Sequence, residues 1–219
     1  MNFKNKCFAT PLPDYVLKYI KENHTPKVVG YTGSMRSRKT GLLIDTMMAF
    51  AFHNFKCLIL RSTKDTRRSV LFDDTLKNTM KVENLKNIDI SNYGVLFVDE
   101  GQFFDDICQF ANLCIREKKY FFYTSLKLDF RAIPWGLPII SLIMGSDRIE
   151  TCVGTCIKCG KEGTMSSRVG DKKKQILIDS AKDDEYENLC RSCYIETNKE
   201  RKHCFKDIFD MSKNEFPVK

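Results

Sequence analysis

The stretch that most constrains this chain is Lys27-Val28-Val29-Gly30-Tyr31-Thr32-Gly33-Ser34-Met35-Arg36-Ser37-Arg38-Lys39-Thr40. An apolar, β-branched run enters a turn, and the turn closes on Lys-Thr ahead of a helical pattern over residues 41–54. Strand, loop and helix in that order gather backbone N–H groups and a helix N-terminus around one point, the arrangement that holds a phosphate. Against the pattern G-x-x-x-x-G-K-[ST], Gly33, Lys39 and Thr40 match, while Arg38 stands at the second glycine. A side chain forced into left-handed backbone there costs roughly 1–2 kcal/mol, although an arginine beside phosphate also supplies charge.

Two further strand candidates end in charge. Residues 56–60 run into the polar segment Arg61 to Ser69, and residues 93–98 run into Asp99-Glu100. Open parallel sheets place their ligand groups at such strand ends. A carboxylate at the second can hold Mg²⁺, directly or through water, opposite the hydroxyl of Thr40. A helix over 103–116, a strand over 119–124 and an irregular, lid-like segment over 126–136 follow. The alternation predicts an α/β fold, a P-loop NTPase-like parallel sheet covered by helices. Residues 1–26 read as an N-terminal extension, 27–150 as the nucleotide-binding domain, 151–200 as a small metal-bound domain and 201–219 as a C-terminal tail.

The ten cysteines are the next constraint. No apolar run approaches the roughly 20 residues that span a bilayer, and Met1 to Lys6 lacks an apolar signal core. The expected location is therefore the cytoplasm, without a membrane partner, where thiols stay reduced. Cys156-x-x-Cys159 and Cys190-x-x-Cys193 have the spacing of a closed four-thiolate zinc site, which leaves no open position and is structural. Residues 165–187 between them show no strong period and read as a long loop tied by the metal. His24, His53 and His203 have no partners at useful spacing, and Cys108 and Cys114 read as core.

Taken together, these blocks resemble the thymidine kinase family of the type that carries a zinc-held lasso. The resemblance rests on Gly33 to Thr40, Lys64-Asp65-Thr66-Arg67, Asp99-Glu100-Gly101-Gln102-Phe103-Phe104, Leu128-Asp129-Phe130-Arg131 with Pro134-Trp135-Gly136, and Tyr186-x-x-x-Cys190-Arg191-x-Cys193-Tyr194 beside the first cysteine pair. It covers roughly residues 27–194 in family order. It implies transfer of the γ-phosphate of ATP to the 5′-hydroxyl of thymidine or deoxyuridine, with Mg²⁺ and a structural Zn²⁺. Gly33, Ser34, Met35, Arg36, Ser37, Arg38, Lys39, Thr40, Asp99 and Gln102 would serve the nucleotide and metal. Glu100 would be the general base, Arg67 would stabilise the transferring phosphoryl and Asp65 would orient the site. Met35, Phe103, Leu126, Phe130 and Trp135 would wall the base pocket. Ser166 would lie near the base, the backbone of Leu177, Ile178, Asp179, Ser180 and Ala181 would read its edge, and Tyr186 would close over the sugar. Relatives of this kind are commonly homotetramers inhibited by the end-product triphosphate.

Three departures from the family pattern fall at the ligand: Arg38, the lasso segment Ser180-Ala181-Lys182-Asp183 in place of paired glycines, and Leu71-Phe72-Asp73 in place of Ser-His-Asp. They motivate a second reading, a descendant that binds nucleotide or a partner without turnover. A third is a zinc-ribbon nucleic-acid module, motivated by the net charge of +8 and the Lys172 to Lys174 run. Aromatic residues interleaved for base stacking are missing around that run, so nucleic acid is not the expected partner.

Overall fold

The computed structural model describes residues 13–22, 25–65, 78–169 and 186–198. A six-stranded parallel sheet runs in the order β3 (Thr79–Val82), β2 (Cys57–Ser62), β4 (Val95–Asp99), β5 (Tyr120–Leu126), β1 (Val28–Gly33) and β6 (Arg148–Cys152). The four inner strands are buried at every position, as parallel strands covered on both faces must be. The edge strands β3 and β6 keep exposed side chains, and their mixed sequences gave no strand signal.

Successive residues of each inner strand feed opposite faces. One face takes Val29, Tyr31, Ile59, Phe97 and Phe122, covered by α2 (Lys39–Phe52) and by α1 (Asp14–Glu22) with its buried Tyr15, Val16 and Ile20. The other takes Leu58, Leu60, Leu96, Val98, Phe121 and Tyr123 beneath α3 (Ile107–Arg116) and α4 (Leu137–Gly145). Helix α2 is apolar round most of its surface because the sheet and α1 both cover it; Leu42, Leu43, Met47 and Phe50 are all buried.

Two expected elements shift. The helix placed from residue 103 starts at Ile107, after a 3₁₀ turn at Gly101–Phe103 that Glu100 enters with left-handed backbone. The segment 165–187 is not loop throughout. Met165–Arg168 (β9) pairs antiparallel with Tyr186–Leu189 (β10), strands of four residues, too short to show a period. A second small ladder joins Gly154–Thr155 (β7) to Glu162–Gly163 (β8), and α5 (Arg191–Thr197) ends the described chain. Among the described residues no helix is long and apolar enough to cross a membrane.

Phe122 lies at the centre of the first core face, its ring 5.2 Å from Phe97 and 5.4 Å from Phe50, with no exposed surface. Phe122→Ala is expected to cost about 3–5 kcal/mol in urea denaturation, since the surrounding rings cannot collapse into the space.

Candidate functional site

The site begins where β1 ends. Gly33 cannot carry a side chain, because a Cβ there would meet the Cys152 carbonyl oxygen of β6 at 2.3 Å. The loop over 34–38 then turns into α2 through Arg38, whose φ of 63° and ψ of 19° are left-handed, as the glycine of the pattern would be. Arg38 is exposed, so its side chain does not fill the loop's interior. Arg36 is also left-handed, with φ 58°. Inside the loop, Lys39 Nζ donates to the Ser34 carbonyl at 2.6 Å and Ser37 Oγ donates to the same oxygen at 2.9 Å. The ammonium is thus buried within the curl of backbone that a phosphate would enter.

Two strands away, β4 delivers Asp99 and Glu100. Thr40 Oγ1, on the first turn of α2, donates to Asp99 Oδ1 at 3.0 Å. Thr124, from the intervening β5, donates to the same oxygen at 2.7 Å and accepts the Glu100 N–H at 2.8 Å. Burial raises the Asp99 carboxyl to about 6, helped by the neighbouring Glu100 charge and opposed by the two threonine hydroxyls and Arg61. Glu100 is itself buried and left-handed (φ 54°), and Gln102 ties it down. The Gln102 amide donates to Glu100 Oε2, while its carbonyl oxygen accepts the Leu126 N–H at 3.2 Å.

Asp65 lies just past β2, buried against Arg61 at 3.3 Å. Arg61 is the cross-strand neighbour of Asp99. Arg61 opens the polar strand-end segment where ligand groups were expected, whereas Thr124 did not stand out in the sequence. The available signal was a polar residue inside an otherwise apolar buried strand.

The aromatic residues fall in two groups. Phe103 meets Trp135 edge-on at 5.9 Å. Phe130 packs under the guanidinium of Arg168, 4.0 Å from the ring centre, and that guanidinium lies 4.9 Å over Tyr186 and donates to its hydroxyl. Arg168, a fully buried cation, was not anticipated. Ser166 accepts the Met35 N–H at 2.8 Å, bringing the phosphate loop against β9. Leu126, at the end of β5, is buried beside Gly33. Arg67 and residues 177–181, as well as 71–73, 172–174, His24 and His203, lie outside the described residues.

The four sulfurs of Cys156, Cys159, Cys190 and Cys193 all lie within 4.8 Å of one another, and Cys159 and Cys190 are 3.7 Å apart. An ion about 2.3 Å from four tetrahedral sulfurs sets them about 3.8 Å apart, so the donor set fits zinc. Burial works against ionising Cys156, but backbone hydrogen bonds to its sulfur outweigh this and bring the thiol down to about 6. Around the sulfurs, Ala132, Met165, Leu189 and Tyr194 form a core of their own, joined to the main domain by the Tyr194 hydroxyl on the Phe130 carbonyl at 2.8 Å.

Sheet order, the loop after β1 and the acidic pair after β4 define a phosphate-loop α/β protein with an appended four-cysteine module. The family model for thymidine kinase matches residues 27–194. The cytosolic thymidine kinase of Bos taurus is 30% identical over 168 residues, 74% of this chain and 69% of that protein. The human cytosolic thymidine kinase is 30% identical over 168 residues, 74% of this chain and 70% of that protein. The thymidine kinase of Vaccinia virus (strain Western Reserve) is 30% identical over 170 residues, 75% of this chain and 94% of that protein. The chain belongs to the thymidine kinase family.

The raised Asp99 carboxyl gives a signed expectation. Its ionised form is disfavoured in the fold, so the cost is absent below the ordinary value of 3.8, grows as pH rises to about 6 and is constant above. Asp99→Asn, whose Oδ1 still accepts both threonine hydroxyls, is expected to stabilise the ligand-free protein at about pH 8, by up to about 3 kcal/mol, and not at about pH 4. Urea denaturation at the two pH values measures it.

Proposed function

We propose that the protein is an active thymidine kinase, transferring the γ-phosphate of ATP to the 5′-hydroxyl of thymidine or deoxyuridine. One observation carries the reading: buried Lys39, Asp99 and Glu100 and half-buried Thr40 converge at the ends of β1 and β4, while Arg38 stays outside. Phosphoryl transfer needs positioning and charge neutralisation more than covalent chemistry.

In this reading the N–H groups of residues 33–40 and the Lys39 ammonium hold the phosphates. Thr40 and Asp99 hold Mg²⁺, which when bound neutralises charge on the triphosphate. Glu100 takes the proton of the 5′-hydroxyl, held in place by Gln102. Asp65 orients the site and Arg67 stabilises the moving phosphoryl. Met35, Phe103, Leu126, Phe130 and Trp135 wall the base, Ser166 and residues 177–181 read it, and Tyr186 covers the sugar. Zinc in the four-cysteine cluster ties the base-reading segment to the domain and takes no part in chemistry. A cytoplasmic homotetramer inhibited by its end-product triphosphate completes the proposal.

The test is purified protein with ATP, Mg²⁺ and thymidine. Glu100→Gln is expected to lower kcat about 100-fold or more, with the KM for thymidine within about threefold. Arg38→Gly is expected to raise turnover less than about tenfold, because the left-handed shape is already adopted at a cost of about 1–2 kcal/mol. No phosphorylated nucleoside above the Glu100→Gln level overturns the reading; activity appearing only with Arg38→Gly favours a descendant without turnover.

A further inference from the structure

The phosphate loop does not stand alone: the hairpin β9–β10 grips its first turn. Asn188 and Ser166 are directly opposite one another in that antiparallel pair, so their side chains share one face. Ser34 Oγ donates to Asn188 Oδ1 at 3.0 Å, and the next residue, Met35, donates its N–H to Ser166 Oγ at 2.8 Å. Asn188 is 2% exposed. Its seat is cleared by two glycines. A Cβ on Gly154 would lie 1.8 Å from Asn188 Nδ2, and one on Gly163 would lie 2.5 Å from Oδ1.

We propose that Asn188 is a positioning residue of the phosphate loop, clamping Ser34 from the cysteine-bearing module and so setting affinity for the nucleoside triphosphate rather than for the nucleoside. This rests on the reading of the loop as the ATP site. Ser34 is the centre of the loop's bonding, because its carbonyl oxygen holds both Lys39 Nζ and Ser37 Oγ. Fixing the Ser34 side chain fixes that carbonyl, and with it the place from which the lysine moves to a phosphate. On the other side, the Asn188 carbonyl receives the Ile157 N–H at 3.0 Å, between the two cysteines of the first knuckle. Two residues along, Cys190 joins the sulfur cluster. A continuous line of bonds therefore links the metal-type site to the phosphate loop. An asparagine that only packed the module would affect stability without distinguishing the two substrates.

Calorimetric titration of the full-length, zinc-loaded chain with Mg·ATP, and separately with thymidine, tests this. Asn188→Ala is expected to weaken ATP binding about five- to tenfold, the range of one lost buried hydrogen bond, with thymidine affinity changed less than about twofold. Ser34→Ala is expected to do the same, and the double variant to bind ATP no worse than about either single one. Additive losses, or equal losses for ATP and thymidine, overturn the proposal. Wild-type protein that fails to bind ATP overturns the kinase reading with it; wild-type binding that Asn188→Ala leaves intact overturns the clamp alone. Should Asn188→Ala lose its zinc or its fold, Ser34→Ala decides from the loop side, and unchanged ATP affinity in that variant overturns the proposal.

Discussion

The strand β5 lies between β1 and β4, and the geometry of the site follows from that placement. It holds the phosphate loop and the acidic pair two strand spacings apart, about 9–10 Å. Thr40 crosses part of that gap from the start of α2, and Thr124 fills the rest from β5 itself. Both hydroxyls land on one carboxylate oxygen of Asp99. A buried carboxylate beside a second one, Glu100, is electrostatically costly, and the raised Asp99 carboxyl reports that cost. Two buried carboxyl groups thus stand side by side at the end of β4.

Three of the six non-glycine residues in left-handed conformation among the described residues, Arg36, Arg38 and Glu100, follow the ends of β1 and β4. Such residues persist only where the surroundings over-determine them. Around Glu100 the cause is visible: its N–H is fixed by Thr124 and its carboxylate by Gln102, which is anchored in turn on the Leu126 N–H. The arginine at position 38 therefore departs from the loop pattern in residue type but not in backbone shape.

The cysteine module follows a different logic. Among the described residues its apolar core is a few side chains around Met165, Leu189 and Tyr194. Four sulfurs at metal-binding separations would cross-link these segments when they hold a metal. What the module holds is a two-stranded hairpin, one face of which meets the phosphate loop through Ser166 and Asn188. Hydrogen bonds thus join the cysteine module's hairpin to the phosphate loop, 131 and 154 positions away in the chain.

Much of this could be read in the chain itself. The inner strands announced themselves as apolar, β-branched and aromatic runs because both their faces are buried, and the cysteine spacing is local. Lys39, Thr40, Asp99 and Glu100 stood at the ends of such runs, where their types and order carry meaning. Edge strands β3 and β6, helix α4 and the short hairpin β9–β10 were not legible, because partial exposure or brevity removes the period. Nor were Thr124, Arg168 and Asn188: each is a polar residue whose role depends on which strand lies beside it. Local pattern thus determined the phosphate loop, the acidic pair and the metal-type knuckles, since those depend on neighbours within a few residues. Strand order, the filling of the gap by Thr124 and the grip of the hairpin on Ser34 were decided only in the tertiary structure, since they are contacts between residues 25 to 154 positions apart.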